Sequence, residues 1–277
     1  MFSVPSASTA PCGRSTRRRS SRAARDSTKP GVTEAKSSFR TRAADWDRFY
    51  DGRDADAHRV RSRLDAAVEL IGLGPGDVLD VGVGSGRLLA VLAEHGWSGH
   101  GVDPEPAMLD LARTRVPEGA ERLRVGRAEE LPFPPASFDV VALLGVLEYT
   151  RLDAALAEAA RVLRSGGRAV IGVHGCPAPA TVWREAIVLP LARRLGRRPR
   201  RRRAVRLDEA RRSLAAAGLT VERVVPVGAQ LVPDPLDRLA PRLAYRAGRW
   251  AERSPRLRRV FATQRLLVAR KLGPETG

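Results

Sequence analysis

The chain has 277 residues, 43% of them hydrophobic, and a formal net charge of +18. That length suits one α/β domain with a sizeable core plus appendages. No apolar run approaches the ~20 residues of a membrane-spanning helix, which excludes helical integral membrane proteins and makes the cytoplasm the expected location. The charge is unevenly placed: residues 1–42 carry a net +8, 184–212 a net +9 and 238–271 a net +10, whereas 43–183 carry a net −6. The positive charge therefore lies in the appendages, not in the middle of the chain. Cys12 and Cys176 show neither metal-ligand spacing nor an evident disulfide partner, so no metal site is expected and a reducing compartment fits.

Residues 1–42 are rich in Ser, Arg, Ala and Thr without apolar periodicity, the composition of a disordered basic tail. The same segment fits a transit peptide or a misassigned start. From Trp46 to Ile71 the pattern turns helical, with Val60, Leu64, Ala67, Val68 and Ile71 at three- and four-residue spacing. Gly72-Leu73-Gly74-Pro75-Gly76 breaks it. Strands and helices then alternate. Strands are expected at Asp77–Val81, His100–Asp103, Leu123–Val125, Phe138–Leu144, Arg168–Val173, Leu219–Val225 and Gln264–Lys271. Helices are expected at Arg87–His95, Pro106–Arg115, Ala154–Leu163 and Leu207–Ala217, the third stopped by Ser165-Gly166-Gly167. This alternation implies a mostly parallel sheet covered on both faces. Two basic, Pro-containing insertions, 174–205 and 226–262, interrupt it, and 273–277 form a short tail.

The sharpest motif is Val78-Leu79-Asp80-Val81-Gly82-Val83-Gly84-Ser85-Gly86, a strand running through a Gly-rich turn into a helix. Glycines there allow positive φ and close backbone approach to a ligand, and the helix start offers free N–H groups. A dinucleotide site is the rival reading, but Arg87 stands where its third glycine or alanine belongs. A tight turn with no ligand is the bland one. Asp80 adds a carboxylate that suits an ammonium. Asp103, at the end of the second strand, can accept both hydroxyls of a ribose or cap the helix that follows.

VLDVGVGSG, GVDPEPAMLDLAR, GRAEELPFPPASFDVV, LLGVLEY and RVLRSGGRAVIGV follow one another in the order and spacing of class I S-adenosylmethionine-dependent methyltransferases. They resemble the group that includes the quinone-biosynthesis methyltransferases. The resemblance implies a Rossmann-like, doubly wound, mostly parallel seven-stranded sheet with an antiparallel last strand and helices on both faces. It also implies S-adenosyl-L-methionine as cofactor. Gly82, Gly84 and Gly86 would line its methionine and ribose part, Asp80 its amino group, and Asp103 the ribose diol. Ala128 and Glu129 would flank the adenine, and Gly145 with Val146 the methionine. Arg127 departs from the family, which often places an adenine-binding Asp there.

A sulfonium donor asks chiefly for alignment of the acceptor, so a general base is needed only for some acceptors. Candidates are His174 after the fifth strand, Glu148 after the fourth, and Tyr50 in a segment resembling the aromatic lid of relatives. Each has a plainer reading: a loop histidine, an exposed helix-start acid, and an aromatic core anchor. His58 and His95 read as surface residues. The insertions pair apolar faces with arginines, from Trp183 to Leu195 and from Pro235 to Val260. They suit a cap over a small lipophilic acceptor or peripheral membrane contact, or a solvated Arg face on a core helix. RNA methylation and a non-catalytic cofactor-binding or membrane-docking module are the alternatives. The absence of an RNA-recognition aromatic pair speaks against nucleic acid.

Overall fold

The computed structural model describes residues 50–174, 178–194 and 204–273. The expected basic tail, 1–42, and both cysteines lie outside the described residues. Seven strands form one sheet: β1 (Gly76–Val81), β2 (Trp97–Asp103), β3 (Leu123–Val125), β4 (Phe138–Leu143), β5 (Leu163–His174), β6 (Leu219–Ala229) and β7 (Ala262–Lys271). Their order is β3-β2-β1-β4-β5-β7-β6. Pairs among β1 to β5 are parallel, and β7 lies antiparallel between β5 and β6. The α/β expectation with an antiparallel last strand holds.

Successive side chains in a strand point to opposite faces, and the central strands are apolar on both. Leu79, Val141, Leu143, Ile171 and Leu267 pack beneath α4 (Leu152–Val162) and α7 (Leu207–Ala216). Val78, Val140, Ala142, Val170 and Leu266 pack on α1 (Ala55–Ile71), α2 (Arg87–Glu94) and α3 (Pro106–Arg115). Each fully buried Leu or Val contributes about 1.5–3 kcal/mol, which fixes the register, because a one-residue slip would turn these side chains over. α1 begins where the Asp54 carboxylate accepts the Ala57 N–H at 2.8 Å. It ends at Gly72, whose carbonyl accepts from the Trp97 indole at 2.9 Å.

Several boundaries differ from the sequence expectation, most by one or two residues, and three of the differences are instructive. α4 stops at Val162, one residue before the expected Leu163, and the chain passes straight into β5, which begins at Leu163 rather than Arg168. Phe138 pairs with Leu163 and Val140 with Arg168, so residues 164–167 bulge out of the ladder. Arg164 anchors the bulge to Asp139 at 2.5 Å and Asp77 at 2.9 Å. β2 begins at Trp97, not His100, because Gly76 to Leu79 pair with Trp97 to His100. β6 runs on to Ala229, so residues 226–229 belong to the sheet, paired with β7, and not to the second insertion.

The first insertion forms α5 (Pro179–Trp183), a wide helical turn over Arg184–Val188, and α6 (Leu189–Arg194). Beyond β6 lie α8 (Pro241–Glu252) and α9 (Pro255–Phe261). An Arg184–Asp234 ion pair of 3.7 Å ties the two insertions together. No helix among the described residues is long and apolar enough to cross a membrane.

Candidate functional site

Strand order reverses between β1 and β4, both of which pair with neighbours running in the same direction. In open α/β sheets the crevice at the carboxyl ends beside such a reversal is where ligands bind. The Gly-rich turn leaves β1 at that point. Gly82, Gly84 and Gly86 all hold positive φ, at 77°, 52° and 77°, a region costly for residues with a Cβ. Space adds a second restriction. A Cβ on Gly82 would lie 2.4 Å from Val146 Cγ2, and one on Gly86 would lie 3.1 Å from the Ala112 backbone.

Asp103 ties this turn to β2. Its Oδ2 accepts the Gly84 N–H at 3.0 Å and its Oδ1 the Glu105 N–H at 2.9 Å. Asp103 thus organises the start of the segment leading to α3 while remaining beside the turn. Burial raises its pKa against the opposing pull of these two N–H groups. Asp80 is buried beside it, and among the described residues no donor hydrogen-bonds its carboxylate. Burial, then the nearby Asp103 charge, pushes the Asp80 pKa up to about 7, with Arg63 pulling the other way. A carboxylate removed from water without a donor is costly, and a cationic group brought into the crevice relieves that cost.

Arg63 was not among the expected site residues. It enters from α1, and its Nη1 lies 2.8 Å from where a Gly145 Cβ would stand, explaining why Gly145, at φ 76°, carries no side chain. Its charge acts on Asp80, Tyr50 and Glu148. Nη1 also reaches Gln264 Oε1 on β7 at 3.5 Å. A signal existed in the sequence. Arg63 shares a stripe with Ala67 and Ile71, at four-residue spacing, and those two are buried in the core.

The catalytic candidates converge on the same crevice. His174 ends β5, and its Nδ1 lies 3.3 Å from Glu148 Oε2, outside good hydrogen-bond alignment. Glu148 is buried, its side chain 6% exposed, so it is not a solvent-facing helix-start acid. Burial alone would raise its pKa, but the His174 contact, its own backbone N–H and the Arg63 charge together outweigh that and the net shift is downward. Tyr50 sits near Asp80 and Arg63, with the Arg87 guanidinium 4.6 Å from its ring centroid. Burial raises its phenol pKa. Ala128 is buried at the β3 side. The Glu129 carboxylate accepts the Arg151 N–H at 3.0 Å at the start of α4 and lies 3.6 Å from Arg127 Nε. The expected surface position of His58 is wrong: it is 4% exposed, clamped between α1 and α8 beside Gly248. His95 is half-buried.

This arrangement of sheet, reversal point and Gly-rich turn is the class I methyltransferase fold. A SAM-dependent methyltransferase from Thermotoga maritima shares it, with a TM-score of 0.56 at 19% identity over 84% of this chain and 98% of that one. Residues 79–171 match the family model described as a methyltransferase domain. It is 42% identical over 91 residues to an uncharacterized methyltransferase from Mycobacterium tuberculosis, covering 33% of this chain and 37% of that protein. It is 38% identical over 121 residues to a demethylmenaquinone methyltransferase from Tropheryma whipplei, covering 42% of this chain and 48% of that protein. The matched region thus spans between about a third and a half of the length of these curated relatives.

Proposed function

We propose that the protein transfers a methyl group from S-adenosyl-L-methionine to a small, lipophilic acceptor by in-line attack on the sulfonium methyl. The observation that carries this reading is a buried carboxylate, Asp80, with no hydrogen-bond donor among the described residues, beside a turn of three positive-φ glycines. The donor supplies an electrophilic methyl already attached to a good leaving group. Asp80 would hold its ammonium, the backbone of 82–86 its methionine and ribose part, and Asp103 its ribose diol. Gly145 and Val146 would border the methionine, and the Arg63 guanidinium would face its carboxylate. Ala128 and the backbone at Glu129 would flank the adenine, since the Glu129 carboxylate is engaged at α4.

For an acceptor hydroxyl or enol, His174 would take the proton, with Glu148 steadying the imidazolium that forms. Tyr50 would close the crevice above Asp80 and keep water from the reacting pair. Residues 178–194 would cap the acceptor, whose lipophilic class is favoured by the exposed Val182, Trp183, Ile187 and Leu191 and by the likeness to a demethylmenaquinone methyltransferase.

Isothermal titration with S-adenosylmethionine and with NAD(P)H tests the donor. Tight nicotinamide binding without S-adenosylmethionine binding would overturn the reading. Transfer of labelled methyl into a panel of prenylated quinols and phenols tests the acceptor. Label appearing only in RNA would overturn the small-molecule class.

A further inference from the structure

α8 is built inside out. Against α1 it buries only small residues, Ala244, Gly248 and Ala251, while its Leu243 and Trp250 face solvent at 63% and 60% exposure. Leu239, just before the helix, is 82% exposed. Leu243 and Trp250, seven residues apart, fall on one stripe of the helix. Arg242, Arg246, Arg249 and Arg253 form the stripe beside it. The small inward residues are demanded by close approach, because a Cβ on Gly248 would lie 2.5 Å from the His58 ring.

Between α8 and the start of α1 lies a cavity of about 540 Å³, lined by Arg53, Arg61, Arg242, Tyr245, Arg246 and Arg249. Tyr245 forms its floor: its hydroxyl accepts from Arg61 Nη1 at 2.8 Å, and the Arg61 and Arg249 guanidinium carbons lie 5.6 and 5.9 Å from its ring centroid. Arg61 otherwise donates to the Tyr50 and Gly52 carbonyls, which leave its charge uncompensated. Among the described residues, none of the five arginines forms an ion pair with a carboxylate; Asp65 feels Arg61 and Arg249 only at longer range. Five cations converging with no carboxylate in direct contact among the described residues suit a phosphate-bearing anion.

We propose that this face docks on anionic membranes, with the cavity taking a lipid headgroup phosphate and Leu239, Leu243 and Trp250 entering the headgroup–acyl boundary. Charge complementarity supplies one half of the case and the outward apolar stripe the other. Arginine stems beside Leu and Trp let charge stay at the headgroups while apolar surface leaves water. A nucleic acid would engage the arginines but leave Leu239 in water, so it accounts for half of the surface. The proposal is independent of the methyl-transfer reading and stands or falls without it.

The test is co-sedimentation of the full chain with phosphatidylcholine vesicles, with or without phosphatidylglycerol. Binding is expected only with phosphatidylglycerol and falls as salt rises. Arg242→Gln with Arg246→Gln should lower the partition coefficient roughly thirtyfold, the loss of two basic residues from an anionic surface. Leu243→Ser with Trp250→Ser keeps every charge and should also weaken binding severalfold. Thermal melts of both double variants, at exposed positions, check that each is folded. Equal binding to both vesicle types, binding unchanged in folded variants, or no vesicle binding would overturn the proposal. So would capture of inorganic phosphate or an RNA oligonucleotide without vesicle binding, which would make the cavity an anion or nucleic-acid site instead.

Discussion

The crevice beyond β1 and the outer face of α8 solve opposite electrostatic problems. In the crevice, Asp80 and Asp103 are buried side by side and the Asp80 pKa is held at about 7, so the site is short of positive charge until a cation enters. Between α8 and α1, five arginines share a cavity with no carboxylate ion-paired to them among the described residues, so that surface is short of negative charge. The difference lies in the backbone as much as in the side chains. The crevice is walled by a rigid parallel sheet and glycines whose conformations only glycine adopts cheaply. The α8 face hangs from a helix that presents small residues inward and long ones outward. A buried site of this kind recognises one small ligand by shape; an exposed one accommodates a surface. One chain thus carries an acidic pocket and a basic platform, separated by α1, whose Arg63 turns to the first and whose Arg61 turns to the second.

The comparison breaks most sharply at Gly82. Gly82→Ala places a methyl on Val146 at positive φ and is expected to lower S-adenosylmethionine affinity by roughly a hundredfold, near 3 kcal/mol, in a titration, while vesicle binding persists if the variant stays folded. Asp103→Ala comes next. It removes the acceptor of two backbone N–H groups and the proposed ribose contact, for an expected loss of about tenfold to a hundredfold, as charged hydrogen bonds are worth about 1.5–3 kcal/mol.

Asp80 gives a prediction with two signs. Its folded pKa, about 7, lies above the ordinary aspartate value of 3.8. The stability of the cofactor-free protein is therefore fully present below the unfolded value and is lost as pH rises through about 7. Asp80→Asn should raise the melting temperature of the cofactor-free protein above neutral pH and change it little in acid. In the same window, cofactor affinity of the natural chain should fall about tenfold per pH unit below the Asp80 pKa, because the carboxylate must first ionise. That slope should vanish in Asp80→Asn, whose affinity is low throughout.

His58 connects the two regions through the α1–α8 contact. Burial, aided by the Arg249 and Arg61 charges and opposed by the Ala229 backbone, lowers its pKa from 6.5 to about 4. Glu252 Oε2 stands 3.8 Å away. The unfolded chain takes up this proton first, so stability is expected to decline as pH falls from about 6.5 toward 4, read as a falling midpoint in urea. His58→Gln should flatten that decline. The smallest effect sharpens the comparison most: Arg242→Gln with Arg246→Gln should leave S-adenosylmethionine affinity within about twofold, because screening over a Debye length of ~8 Å separates the regions.

The element order was largely legible because the strands are apolar on both faces and the breakers between them are rich in glycine. Boundaries were less so. Ser165-Gly166-Gly167 resembles a helix stop, yet the chain had already turned at Val162, because Leu163 finds a partner in Phe138 across the sheet. His58 resembles a surface residue, since nothing local shows that α8, nearly two hundred positions later, closes over it.

The linear order of residues determined the Gly-rich turn, the two acidic positions and the alternation that makes a doubly wound sheet, since each depends on neighbours within a few residues. Only the tertiary structure decided that His174 meets Glu148, that Arg63 rather than another α1 arginine faces Asp80, and that Arg53 and Arg61 gather with three arginines of α8. Those meetings join residues far apart in the chain, and their cause is packing: helices bury the stripe that fits the sheet, and the charges go where that stripe leaves them.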